Sequence, residues 1–305
     1  YLASRDLMEP RPSERTLARL RAQVPRAGWA ATILVRQKER TYWATKRTCY
    51  GPKFRSTIWQ LQVLADLGLS RRDERIANAV ELWFDLHHNP GDGGYSPGAR
   101  REKSHASHLC TTGNMVRSLI RFGYLRDQRV QGAIRWLVDE QYADGGWDCF
   151  GRKNGTIDAG EAMSGLAEIP PDRRTTEVKR ALADGAEFFL KRRLLHEGAR
   201  FARWYWCRYP WHYHYDFLVG LDFMSALGHG RDPRMGEALA HLAAKRREDG
   251  RWDLDHTNGN LVVEPRHKPS KMITFLARRV ARRVGGEWRG RIEGPGLRAR
   301  PNLRA

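Results

Sequence analysis

One signature recurs down the chain at a nearly constant interval: an acid, then a glycine, then an aromatic three positions after the acid. Asp92-Gly93-Gly94-Tyr95, Asp144-Gly145-Gly146-Trp147 and Asp249-Gly250-Arg251-Trp252 are the clear copies. Glu197-Gly198 falls where a missing copy belongs, and Gln37 to Trp43, with Arg40 in the acid's place, is a degraded copy ahead of them. The markers at 40, 92, 144, 197 and 249 define a unit of about 52 residues, and a period of that size indicates a repeat architecture.

Each marker lies between two helical patterns. Before Asp144, residues Arg129 to Val138 place apolar side chains three and four apart, the stripe of a half-buried helix. After the markers, Thr57 to Leu67, Thr112 to Phe122, Ile157 to Ile169 and Tyr215 to Leu227 are apolar around more of their circumference, as helices buried on most sides are. Gly68, Gly123 and Gly228 stand where helix C-caps are expected. Asp232-Pro233 restarts a helix with a cap and a first-turn proline. The unit reads as inner helix, turn, outer helix and glycine-rich loop. Leu261-Val262-Val263 is the one convincing strand candidate.

Helical hairpins in series stack as an open solenoid or close into a ring. Gln141-Tyr142-Ala143-Asp144-Gly145-Gly146-Trp147 resembles the Gln-Trp repeat of the squalene–hopene cyclase and protein prenyltransferase superfamily, and Lys245 to Trp252 is a weaker copy. That resemblance implies an all-α fold, an α/α toroid, over residues 30–285. A basic segment at 1–29 precedes it and an arginine-rich tail at 286–305 follows. It also implies a reaction chamber where the inner helices begin. Those starts hold Trp59, then His108 and Asn114, then Asp158 and Glu161, then Trp204, Trp206, Trp211, His212, His214, Tyr215 and Asp216.

Asp158 and Glu161 are three apart, so they share a helix face among apolar neighbours. A carboxyl beside low-dielectric walls acquires a raised pKa or a partner, and either suits acid–base work; an acid in a first turn also serves as a cap. Asp216 is a third candidate catalytic residue. The aromatics from Trp204 to Tyr215 offer faces on which a base stacks or over which a cation is stabilised, or they simply plug the ring. Neither family reaction has its motif here. The Asp-x-Asp-Asp of class II terpene cyclases is missing, Asp253-Leu254-Asp255 being followed by His256. The Asp-x-Cys zinc pair of the prenyltransferases is missing too, and Cys110, Cys149, His108 and His212 have no local metal spacing. No metal and no cofactor are expected.

The net charge is +19, and residues 1–60 and 278–305 hold 16 of those charges. A single-sign field of this kind attracts polyanions, DNA first and an anionic membrane second. Lys46, Arg47, Lys53, Arg55, Lys268, Lys271, Arg278, Arg279, Arg282 and Arg283 are the expected phosphate-backbone contacts. Four widely spaced cysteines, no secretory signal and no membrane-spanning stretch point to a cytoplasmic monomer. Together these features predict a DNA glycosylase. It flips a modified base into the aromatic pocket and hydrolyses the N-glycosidic bond with a cavity carboxylate, in repair or antiviral defence. The alternatives are a divergent isoprenoid cyclase or transferase, with peripheral membrane contact and Asp158 or Asp253 as proton donor, and a non-catalytic polyanion-binding scaffold.

Overall fold

A computed structural model describes residues 1–100, 105–195, 201–262 and 264–294. The chain is all-α and forms a toroid. Helices α1 (Leu2–Asp6), α2 (Glu14–Gln23) and α3 (Gly28–Leu34) lead into the ring. Inner and outer helices then alternate: α4 (Thr57–Asp66), α5 (Glu74–His87), α6 (Leu109–Phe122), α7 (Gln128–Asp139), α8 (Gly160–Ala167), α9 (Thr176–Lys191), α10 (Phe217–Ala226), α11 (Gly236–Ala244) and α12 (Lys271–Val284). A last helix, α13 (Gly286–Glu293), follows within the segment expected as a tail and buries Ile292. No helix among the described residues is long and apolar enough to cross a membrane.

The burial follows the sequence pattern. In α4 every residue from Thr57 to Ala65 is buried, and in α10 every residue from Phe217 to Ser225. Outer helix α7 instead buries Val130, Ala133, Ile134 and Leu137, a single stripe. Gly123 ends α6 in the left-handed conformation, and Gly68 and Gly228 also have positive φ just beyond α4 and α10. Asp232 caps the turn at Pro233 by accepting from the Arg234 amide. Leu261 and Val262 are not a strand: they pack on the core from an irregular segment, and Val263 lies outside the described residues. The strands among the described residues are β1 (Trp252–Asp253) and β2 (Pro269–Ser270), paired antiparallel with Trp252 opposite Ser270.

The repeated signature is a joint between an outer helix and the next inner helix. The acid's Oδ1 accepts the amide two residues on, from Gly94 at 2.9 Å, Gly146 at 3.0 Å and Arg251 at 3.0 Å. Gly93, Gly145 and Gly250 take positive φ, which explains the glycine. The aromatic then turns inward. Trp43, Trp147 and Trp252 each donate the indole N–H at 2.8 Å to the carbonyl ten residues upstream, in Ile33, Leu137 and Leu242. The backbone amides of Trp43, Tyr95 and Trp252 donate to the hydroxyls of Thr57, Thr112 and Thr274 on the following inner helices. The marker at Glu197-Gly198 lies outside the described residues.

Inner helices pack as neighbours in chain order, α4 on α6, α6 on α8, α8 on α10 and α10 on α12. Toward the C-terminal ends of the inner helices, two groups of ion pairs between them draw on all five. Asp66 of α4 accepts from Arg117 and Arg121 of α6, and Arg121 also reaches Glu168 at the end of α8. Asp222 of α10 accepts from Arg279 at 2.8 Å and Arg283 at 2.9 Å of α12. Arginines expected on a free polyanion-binding face are therefore committed elsewhere. Arg279 is buried and also meets Asp6, and Arg282 pairs with Glu9 at 2.7 Å, so arginines near the C-terminal end neutralise acids of the N-terminal segment.

Candidate active site

The opposite end of the ring, where the inner helices begin, is filled by the segment between α9 and α10. Trp204, Trp211, His212, Tyr215 and Asp216 are buried there, while Trp206 and His214 are half-buried. His212 stacks on Phe54 at 5.2 Å and meets the edge of Trp59 at 5.0 Å. Its Nδ1 lies 3.3 Å from Gln62 Oε1, and burial lowers its pKa to about 3. The Arg117 guanidinium sits over the Trp211 ring at 5.3 Å. Tyr215 donates its hydroxyl to the Leu194 carbonyl at 2.9 Å.

Two small spaces remain beside this plug. One, of about 10 Å³, is lined by Asn114, Asp158, Glu161, Trp211, His212 and Tyr215, among others. The second, also about 10 Å³, lies between Tyr50, Trp59, Cys110, Asn114 and Tyr213. Each admits about one water. Of the three candidate carboxylates, the structure brings Asp158 and Glu161 to the first space. Asp158 accepts the Trp204 indole N–H at 2.7 Å and lies 3.4 Å from Arg203, so it anchors the plug. Glu161 is buried in the first turn of α8 and its Oε2 has no hydrogen-bond partner. Burial first, then negative charge at Cys110, holds its carboxyl well above the usual carboxylate range.

Asp216 faces the backbone rather than the space. It caps α10 by accepting from the Val219 amide at 2.9 Å and the Arg208 amide at 3.2 Å. Burial raises its pKa to about 7 against those hydrogen bonds. His108 is the exposed N-cap residue of α6. Asp253 pairs with Arg247 at 3.0 Å in β1. Lys53, Arg55, Lys268 and Lys271 are exposed, as are Lys46, which pairs with Glu39, and Arg47; Arg278 is half-buried.

A cationic rim surrounds the plug. Lys53, Arg203, Arg208 and His256 all act on His214, whose pKa falls to about 3 through burial and then those charges. Trp206 stacks on His256 at 5.1 Å. Arg208 is only 2% exposed and has no ion-pair partner among the described residues. Arg208 lies within the aromatic stretch from Trp204 to Tyr215, where nothing in the sequence signals its burial. Sequence reading missed Gln62 and Arg117, which are buried polar residues inside otherwise apolar helices.

No protein-family model and no curated protein sequence matches the chain. Solved structures do. The apo type II terpene cyclase MstE from Scytonema aligns over 92% of this chain and 77% of its own, with 15% identity and a TM-score of 0.53. A variant of MstE in complex with its substrate, geranylgeranyl dihydroxybenzoate, covers 91% and 76%, with 16% identity and a TM-score of 0.50. A protein from Actinoplanes covers 89% and 78%, with 15% identity and a TM-score of 0.54. These matches overturn the expected DNA glycosylase, and with it the DNA partner, base flipping, N-glycosidic hydrolysis and a repair or defence role. The structural basis of the correction is the placement of charge: Arg279, Arg282 and Arg283 serve internal ion pairs, and the aromatics fill the ring centre. The chain shares the α/α-toroid fold of these structures.

Proposed function

We propose that the protein is a terpene cyclase-like enzyme that protonates an isoprenoid-type substrate, with Glu161 as the proton donor. The observation that carries this reading is the Glu161 carboxyl, buried beside Trp211, His212 and Tyr215, whose Oε2 has no hydrogen-bond partner and whose pKa burial raises well above the usual carboxylate range. A carboxyl kept protonated at neutral pH by its surroundings has a proton to deliver. Its O–H bond breaks, a carbon of the alkene gains the hydrogen, and the cation that remains lies near the faces of Trp59, Trp211 and Tyr215. Asp158 positions Trp204 and Arg203 at the rim. Arg208, with Lys53 and Arg203, supplies the seat for an anionic head group. The ring centre is closed by residues 204–216, so binding requires that segment to move.

The test is incubation with acyclic C15, C20 and C30 isoprenoids, with and without anionic head groups, followed by mass spectrometry of cyclised products. Wild type is expected to form product and Glu161→Gln to lose at least ~100-fold, the size of a general-acid contribution. Turnover by Glu161→Gln at the wild-type rate removes Glu161 from the role. Failure of every isoprenoid to bind or react removes the enzymatic reading.

A further inference from the structure

The ring centre is closed, yet the molecule has an open apolar site elsewhere. Between α12, the last inner helix, and α4, the first, lies a cleft of about 430 Å³. Its walls come from Val24 and the residues from Ala27 to Ala30 at the start of α3, from Leu67 at the end of α4, and from Lys271, Met272 and Phe275 in the first turns of α12. Residues 1–3 complete it. Leu2, Val24, Trp29, Leu67 and Phe275 pack on the core yet stay only half-buried, and all five line this one cleft.

Size and lining define what fits. Small-molecule sites run from about 300 to 1,000 Å³ and are mostly apolar, with a few placed polar groups, whereas each space at the ring centre is about 10 Å³. Among the described residues, Lys271 is the only charged side chain that lines the cleft. It is exposed and has no ion pair among them, its backbone amide alone being held, by Glu264 at 2.8 Å. An apolar chain with one anionic end is complementary to this arrangement. The chain covers the half-buried side chains, and the end group meets the ammonium. The cleft also touches the plug, because Trp29 stacks on Tyr209 at 6.2 Å and 18°. The Tyr209 hydroxyl in turn donates to Asp66 at 3.3 Å.

We propose that this cleft is the docking site of an isoprenoid with an anionic end, its chain against Trp29, Leu67, Met272 and Phe275 and its end group beside Lys271. The isoprenoid identity of the chain rests on the proposed function; the fit of the cleft to an apolar chain with one negative end does not. Docking here precedes any passage inward, since each space at the ring centre admits about one water until residues 204–216 move. A chain that shifts Trp29 removes the ring on which Tyr209 rests, and Tyr209 leads directly into Pro210 and Trp211 of the plug.

The experiment incubates the full chain with a diazirine-bearing C15 isoprenoid carboxylate, irradiates it and maps the labelled peptides. Equilibrium dialysis of the unmodified C15 acid and its alcohol runs in parallel. Wild type is expected to carry label on the peptides of Trp29 and Met272, saturably and in competition with the unmodified acid. The acid should bind at least ~10-fold more tightly than the alcohol, the size of one contact to a charged group. Lys271→Met should bring acid and alcohol together, and Ala27→Trp, a bulky side chain at an exposed edge of the cleft, should abolish the labelling. Label confined to residues 204–216, equal affinity for acid and alcohol in wild type, or a straight-chain C16 acid bound as tightly as the isoprenoid overturns the proposal. So does self-association in analytical ultracentrifugation that shields these peptides, which makes a second copy the occupant. These measurements use wild type, so they decide the question even where a variant fails to fold. Binding at the cleft without cyclised product removes the cyclase and leaves the docking site. Cyclisation by Ala27→Trp at the wild-type rate removes the docking site and leaves the cyclase.

Discussion

Replacing Gly113 by alanine puts a methyl group into the crossing of α6 and α8. A Cβ at Gly113 would sit 2.5 Å from the carbonyl carbon and oxygen of Glu161, whereas ordinary contact begins at 3.4 Å. The obstructing atoms are backbone, so no side chain can swing aside, and the two helices must part by roughly 1 Å to restore ordinary van der Waals separation. Overpacking of this kind costs about 1–3 kcal/mol. Alanine in a helix interior returns about 1 kcal/mol of conformational entropy, so a net loss of up to roughly 2 kcal/mol is expected. Gly132 in α7 is the internal control. A Cβ there meets its nearest neighbour, the Gly93 carbonyl oxygen, at an ordinary 3.5 Å, and Gly132→Ala should gain several tenths to about 1 kcal/mol. Urea unfolding of both variants beside wild type measures the two signs. If Gly113→Ala proves as stable as Gly132→Ala, the close crossing that fixes Glu161 in place is refuted.

Three further outcomes follow from the same contacts. Asp222→Asn strips the charge from a carboxylate that faces two arginines, one of them buried, and should destabilise by about 3–5 kcal/mol in chemical denaturation; a loss under ~1 kcal/mol contradicts the buried network. His87 is locked neutral: its Nε2 accepts the Cys49 amide at 2.9 Å while Nδ1 donates to the Ser96 carbonyl at 3.0 Å. Its folded pKa, lowered to about 4 chiefly by burial, lies below the unfolded ~6.5. Its stabilisation is therefore complete above pH 6.5 and is lost between about 6.5 and 4, at up to ~1.4 kcal/mol per pH unit. Denaturation midpoints of wild type and His87→Gln should converge over that window; a constant gap contradicts the assignment. Trp147→Phe leaves the Leu137 carbonyl without the indole N–H and should cost about 1–3 kcal/mol by thermal or urea unfolding, with an unchanged midpoint contradicting the joint.

The period of the acid-glycine-aromatic signature, the inner helices apolar all round and the glycine stops were enough to determine a series of helical hairpins, and the resemblance of Gln141 to Trp147 to the Gln-Trp repeat implied that the series closes into a ring. Each of these is a local property: an acid that folds back on an amide two residues away, a glycine free to take positive φ, a stripe at helical spacing. That Asp158 and Glu161 border the same space was legible for the same reason, the two being three apart on one short stretch. The strand expected at Leu261-Val262-Val263 failed because apolar β-branched composition does not supply a pairing partner. What a charge meets across the ring is not local. Asp66, Arg121 and Glu168 come from three different inner helices, and Asp222 and Arg279 from two others, and only tertiary packing pairs them. The surplus of arginine at the two ends was visible as a number, yet its use was set by the folded chain, which brings Asp6 and Glu9 to the arginines of α12. The burial of Arg208 with no ion-pair partner among the described residues was likewise decided by tertiary structure. The sequence states which groups exist; desolvation and approach, which set their chemistry, arise only when the ring closes.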